Sequence, residues 1–183
     1  MASLNNLNGM RTYLIGAMDR VPDGGMIWRD KITPMLEKMN IKVLNPCKKN
    51  ITSVSEDPSV RDKIHYYKAT AQYDKIREEY GEIRNADLRC VDVSDFVIAY
   101  IDIKIHMCGS YEEIVTANRQ KKPVLTWCKQ GKSKAPNWLF FMLPHQHIFN
   151  TMEETINYLN NVDNTNDTTK LKRWFFFEEN VND

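Results

Sequence analysis

Three carboxylates stand where a carboxylate can do chemistry. Glu113 lies in Gly109-Ser110-Tyr111-Glu112-Glu113-Ile114, on the first turn of an expected helix. The positive end of a helix favours an anion, so a carboxylate there is expected to stay ionised. An ionised carboxylate at the edge of a sheet can attack an electrophilic sugar carbon. The same four residues, Ser110 to Glu113, also fit the S-x-x-E capping box, in which the glutamate bonds back to the cap residue. Spacing alone leaves both readings open. Asp87, in Asn85-Ala86-Asp87-Leu88, is a second candidate, although a lone aspartate near a helix is commonly a surface residue. Asp102 is a third, because it leaves the carboxyl end of an expected central strand and should point into a ligand crevice. Asp95 sits at the other end of that strand and reads as a cap or turn residue. Glu112 should face solvent.

Other familiar chemistry is missing. There is no G-x-S-x-G, no G-x-G-x-x-G and no Walker lysine pattern. Of four histidines, His145 and His147 alternate, but no third metal ligand can be placed beside them. No metal and no cofactor is expected. Cys47, Cys90, Cys108 and Cys128 are widely spaced without a C-x-x-C pair, which suggests reduced thiols in a cytoplasmic protein. Cys108 beside Gly109 reads more simply as a small turn residue than as a reactive thiol.

The elements that must position these groups follow from apolar patterning. Phe96 to Ile101 is a short run rich in β-branched and aromatic residues, as expected of a parallel strand buried on both faces. Residues 11–15, 41–44, 123–127 and 147–149 read as further strands. Helical spacing marks Trp28 to Met39, with Pro34 inside it, then a long stripe from Val60 to Ile83 that Gly81 interrupts, residues 110–120, and 151–160 capped by Thr151 or Asn150. Strands alternating with helices give an α/β fold of three layers with about five parallel strands. Residues 1–10 are expected to form a flexible arm, 11–160 one domain, and 161–183 a linker with an aromatic tail. The tail, Trp174 to Phe177, must fold back or pack on another subunit.

At 183 residues the chain is long enough for one domain with a substantial core. A net charge of +1 argues against a nucleic-acid partner, which calls for a basic surface. No apolar run approaches 18 residues, so no membrane span is expected, and the first residues show no secretory signal.

Tyr13-Leu14-Ile15-Gly16, Asn85-Ala86-Asp87-Leu88, and Gly109 to Ile114 followed by Lys122-Pro123-Val124 together resemble the nucleoside 2-deoxyribosyltransferase family, over residues 11–160. The resemblance implies a flavodoxin-like fold. It implies a small nucleoside or nucleotide substrate whose N-glycosidic bond is cleaved through a covalent glycosyl-glutamate, with transfer to another base. Glu113 falls on the family's nucleophile and Asp87 on the aspartate that assists the leaving base. Gly16 falls on the glycine of a loop, containing Met18, that lines the base pocket. Gly109 and Ser110 form the turn at the sugar. Trp28 fits either a stacking surface or the helix core, and Asp102 or His106 is left to take the place at the sugar that the family gives to an aspartate before the Gly-Ser turn. The resemblance also implies a homo-oligomer, in which the aromatic tail reaches a neighbour's site. Two departures stand out: Met107-Cys108 replace an aspartate that touches the sugar hydroxyls, and Val115 replaces a glycine. They leave room for a hydrolase of deoxynucleoside 5′-monophosphates, with Ser110 and the helix N-terminus at the phosphate, or for a non-catalytic nucleotide-binding module.

Overall fold

A computed structural model describes residues 4–49, 56, 58–172 and 174. Five strands form one all-parallel sheet: β1 (Arg11–Gly16), β2 (Lys42–Leu44), β3 (Phe96–Ile101), β4 (Val124–Cys128) and β5 (Ile148–Phe149). Their order is β2-β1-β3-β4-β5. This is the flavodoxin-like order, in which ligands bind beyond the carboxyl ends where the chain reverses direction between β1 and β3. The helices are α1 (Met26–Glu37), α2 (Pro58–Ala69), α3 (Tyr73–Val93), α4 (Cys108–Arg119), α5 (Asn137–Met142), α6 (Met152–Asp163) and α7 (Thr168–Leu171).

Strand side chains alternate between faces, so each strand feeds two cores. Leu14, Phe96, Ile98 and Leu125 pack with Ile32 and Leu36 of α1 and Leu159 and Val162 of α6. Tyr13, Ile15, Val97, Ala99 and Val124 pack on the opposite face with Val91 of α3, Ile114 and Ala117 of α4, and Leu139 of α5. Because β3 supplies both layers, its run of apolar residues has no polar alternation. This parity decides which strand residues can reach a site on the α3–α4 side of the sheet.

Several boundaries differ from expectation. The stripe from Val60 to Ile83 is two helices, broken at Thr70–Gln72, where Ala71 adopts a left-handed φ of 54°. Gly81 lies inside α3 without interrupting it. α6 begins as expected: the Thr151 side chain accepts from the Glu154 N–H at 3.1 Å.

The segment read as a loose arm is docked where it is described. Leu7 is fully buried among α1, α6 and β3 residues. Its N–H donates to Asp163 Oδ1 at 2.8 Å, and Asn6 Nδ2 donates to the carbonyls of Val162 and Thr165 at 2.8 and 2.7 Å. A polar, Asn-rich stretch hid this because it contributes a single core side chain. Leu7→Ala is expected to lower the unfolding free energy by about 2–5 kcal/mol in urea titration, as for other large-to-small core changes; a loose arm gives no change.

Trp174 also folds back, resolving one of the two fates of the aromatic tail for that residue. It packs on Phe96 with ring centroids 5.1 Å apart, and its indole N–H donates to the Tyr158 hydroxyl at 3.4 Å. Phe175 to Phe177 lie outside the described residues.

Candidate active site

Tyr13 points from β1 toward α4, and its hydroxyl donates to Glu113 Oε1 at 2.9 Å. Both side chains are buried, Glu113 to 9% exposure. α4 starts at Cys108, with Met107 in the cap position and no side-chain cap. Ser110 is therefore inside the helix, and Glu113 occupies the second turn, not the first. The capping-box reading fails: Ser110 is not the cap, and Glu113 is held by Tyr13 instead.

The expectation that Glu113 stays ionised is also overturned. Burial, then the negative charge of Asp87, push its carboxyl up to about 8, against the opposing effects of the Tyr13 hydroxyl and Arg29. The helix end is too far away to offset desolvation. Burial holds the Tyr13 phenol well above its ordinary range, so it remains a hydrogen-bond donor.

Asp87, on α3, comes to the same place from the other side. Its Oδ1 lies 2.7 Å from Lys49 Nζ, and the same ammonium lies 2.5 Å from Glu56 Oε1. The Lys49 side chain is only 7% exposed. Its ammonium is pushed up: burial opposes the charge, but Glu56 and Asp87 outweigh it.

These groups sit at the waist of a two-lobed cavity. The larger lobe, about 940 Å³, runs between α2, α3 and the loop after β1, and is lined by Met18, Val60, Ile64, Ile76, Tyr80, Ile83 and Leu88 among others. The smaller, about 380 Å³, is lined by Tyr13, Gly16, Arg20, Arg29, His106 and Ser110. Glu113, Asp87, Glu56, Met18, Cys108 and Gly109 line both. Glu113 and Asp87 thus converge on one cleft, as a two-carboxylate mechanism needs.

Gly16, Met18, Gly109 and Ser110 are brought to that cavity; Trp28 and Asp102 are not. Trp28 packs on the α1 side of the sheet, with ring centroids 5.6 Å from Tyr100 and 5.2 Å from Trp127. Its bulk is the reason position 16 carries no side chain, since a Cβ there would lie 2.9 Å from Trp28 Cζ2. Asp102 continues the parity of Phe96, Ile98 and Tyr100 onto the same side. It accepts from Lys129 Nζ at 2.9 Å, Gln130 Nε2 at 2.7 Å and the Lys104 N–H at 3.0 Å. Burial resists its charge, but those donors, Lys129 first, hold the carboxyl below its usual range. Asp102 therefore fastens the turn after β3. Glu112 forms an exposed ion pair with Arg84 at the rim of the larger lobe. Asp95 binds the start of β1, accepting from the Arg11 N–H at 2.6 Å.

Four residues of the site escaped sequence reasoning: Tyr13, Arg29, Lys49 and Glu56. Tyr13 looked like an ordinary strand aromatic. Arg29 interrupts the apolar face of α1, which was the available signal. It is fully buried and donates to three carbonyls: Leu14 at 3.2 Å, Gly25 at 2.8 Å and Gly16 at 2.9 Å. These bonds fasten the loop after β1 to the strand, and leave a buried positive charge beside the smaller lobe.

That loop leaves no room at Gly25. Its φ is +76°, and a Cβ there would lie 2.4 Å from both the Ala17 carbonyl oxygen and Arg29 Nη1. Neighbouring Gly24 has φ +61° and open space around it. Gly25→Ala is expected to cost about 2–5 kcal/mol and Gly24→Ala only about 1–2 kcal/mol. Thermal melts of the pair separate the steric contribution from the left-handed backbone they share.

No family model matches the sequence, and no curated protein matches it significantly. Solved structures do match in shape. A 2-deoxyribosyltransferase from Bacillus psychrosaccharolyticus superposes with a TM-score of 0.55 at 14% identity, over 87% of this chain and 95% of its own. The chain has the fold of the 2-deoxyribosyltransferases. A second such enzyme, from Leishmania mexicana, superposes at 0.55 with 15% identity, over 82% of this chain and 97% of its own. A CMP N-glycosidase from Clostridium botulinum aligns more loosely, at 0.45 and 15% identity over 82% of this chain and 97% of its own. In this deoxyribosyltransferase fold the cavity sits where doubly wound sheets hold ligands, beyond β1 and β3. Among the described residues no helix is long and apolar enough to cross a membrane, and no cluster of three or more His, Cys, Asp or Glu side chains is arranged to hold a metal ion.

Proposed function

We propose that the protein belongs to the nucleoside 2-deoxyribosyltransferase family and cleaves the N-glycosidic bond of a deoxynucleoside or deoxynucleotide. Glu113 attacks C1′, and the deoxyribosyl-enzyme then passes the sugar to a second base. The observation that carries this reading is the convergence of Glu113 and Asp87 on one cavity, with the Tyr13 hydroxyl on the Glu113 carboxyl.

The reaction passes through an oxocarbenium-like state, so the sugar becomes positive as the base departs. A carboxylate as buried as Glu113 meets that charge with little screening. The burial that raises the Glu113 pKa makes its ionised form a more reactive nucleophile. The larger lobe, apolar and ringed by Tyr73 and Tyr80, suits a flat base. The smaller lobe, with Gly16, Gly109 and Ser110, suits the sugar. Asp87, on the waist between them, assists the departing base.

The smaller lobe also favours a second reading of the same chemistry. Arg20, Arg29, His106 and Ser110 line it, an anion-friendly set that fits a 5′-phosphate. A nucleoside 5′-monophosphate held there and resolved by water makes the protein an N-glycoside hydrolase.

A panel of deoxynucleosides and their 5′-monophosphates, with and without a free acceptor base, separates the two by chromatography. A new nucleoside means transfer. Free deoxyribose or its phosphate means hydrolysis. No base release from any member of the panel overturns the enzyme reading and leaves a binding module.

A further inference from the structure

Lys49 holds two carboxylates at once. Its Nζ lies 2.5 Å from Glu56 Oε1 and 2.7 Å from Asp87 Oδ1, and all three side chains are largely buried. Glu56 and Asp87 both line both lobes, together with Glu113. We propose that Glu56 is a further catalytic residue, the acid that gives its proton to the departing base, with Lys49 dividing its charge between Glu56 and Asp87. This rests on the glycosyl-transfer reading above and extends it to a residue that no motif marks.

Four carboxylates line both lobes: Asp19 is exposed and lies 3.7 Å from His65, while Glu113, Asp87 and Glu56 are the three that are largely buried. Two cations face them, Lys49 and Arg29, and Arg29 spends its donors on backbone carbonyls. One of the three largely buried carboxylates is left without a buried counter-charge, and the remedy for a charge so placed is a bound proton. Burial first, and then the charge of Asp87, push Glu56 up; Lys49 and Arg29 oppose this without cancelling it. Once Glu113 ionises to attack, the proton has its place on Glu56. Also facing the cluster are the exposed Asp19, Arg20 and His106, the Tyr13 hydroxyl, fixed on Glu113, and the thiols Cys47 and Cys90, both pushed up by burial and so uncharged.

The step balances. The Glu113 Oε–C1′ bond forms as the C1′–N bond breaks. The electron pair of the broken bond goes to the base nitrogen, which takes the proton of Glu56. The products are the glycosyl ester of Glu113, a neutral base and the Glu56 carboxylate. In the second half, the incoming base or water returns a proton to Glu56 as the ester bond breaks.

The test uses leaving groups that differ in their need for a proton. An ordinary deoxynucleoside, or its 5′-monophosphate if the wild type prefers it, releases an anionic base unless an acid helps. 7-Methyl-2′-deoxyguanosine, or its 5′-monophosphate, is already cationic and releases a neutral base. Glu56→Gln is expected to slow the ordinary substrate by about 10²-fold or more, the usual worth of general acid catalysis, and to change the methylated one little. Equal losses on both substrates overturn the proposal. Lys49→Met is the second variant. With the cation gone, Glu56 keeps its proton to higher pH, so the alkaline decline in kcat/KM for the ordinary substrate moves up. An unmoved limb, with both rates reduced alike, makes the trio a structural feature and also overturns the proposal. Failure of the parent reading looks different: the wild type itself then turns over neither substrate and forms no adduct at Glu113.

Discussion

Glu113→Gln is expected to abolish base release, by on the order of 10⁴-fold or more, while making the protein more stable at alkaline pH. Glutamine keeps the carbonyl oxygen that accepts from Tyr13 at 2.9 Å, so the packing survives. It offers no anionic oxygen to C1′, so the nucleophile is lost. The stability effect has the opposite sign. A carboxyl at about 8 in the folded protein, against 4.5 for its ordinary value, binds a proton that the unfolded chain has already released. Between those two pH values the folded state holds more protons, so stability falls as pH rises. At about 1.4 kcal/mol for each unit, the wild type gives up as much as about 5 kcal/mol between pH 4.5 and pH 8, and nothing further above. The glutamine variant has no such contribution. Urea titrations at pH 5 and pH 9 are expected to show its advantage growing by several kcal/mol. A constant difference between the two proteins contradicts the buried, proton-holding carboxyl. Loss of function joined to a gain in stability marks a group retained for chemistry.

The second large effect is on the pH profile. If the ionised form of Glu113 is the nucleophile, kcat/KM rises about tenfold for each pH unit at acid pH and levels off near the Glu113 pKa of about 8. The proton wanted on the leaving base limits the rate on the alkaline side, giving a bell. Tyr13→Phe removes the hydroxyl that favours the Glu113 anion. Its acid limb is expected to move to higher pH by on the order of one unit, because a hydrogen bond to a charged group is worth about 1.5–3 kcal/mol. The rate at the plateau should change less than the rate at pH 6. A profile flat from pH 5 to pH 9, or a limb unmoved by Tyr13→Phe, contradicts the assignment of Glu113 as the titrating nucleophile.

Much of the fold was legible because it rests on patterns of one residue's spacing. Phe96 to Ile101 announced a strand buried on both faces, and the alternation of strands and helices implied a parallel sheet, which is present with the order β2-β1-β3-β4-β5. The helix break at Ala71 was not legible, because the apolar stripe continues across it and a left-handed alanine carries no sequence mark. In the site, Glu113 and Asp87 were found through the motifs that contain them. Asp102 was misplaced because the face to which a strand residue points cannot be read before the two cores are known; Trp28, left open between a stacking surface and the helix core, packs on the α1 side of the sheet. Lys49 and Glu56 have no motif, and Tyr13 and Arg29 matter through partners 100 and 13 or 15 positions away. Such pairings exist only after folding.

The central claim is that a sugar becomes bonded to Glu113, and intact-protein mass spectrometry tests it most directly. Wild type and Glu113→Gln are mixed with the deoxynucleoside or deoxynucleotide that releases base, without an acceptor, and quenched in acid within the first turnover. The account predicts one added deoxyribosyl unit, or its phosphate, on the wild type alone, mapped by peptide digestion to Glu113. Base release by the wild type with no adduct at any time, or an equal adduct on the glutamine variant, contradicts it.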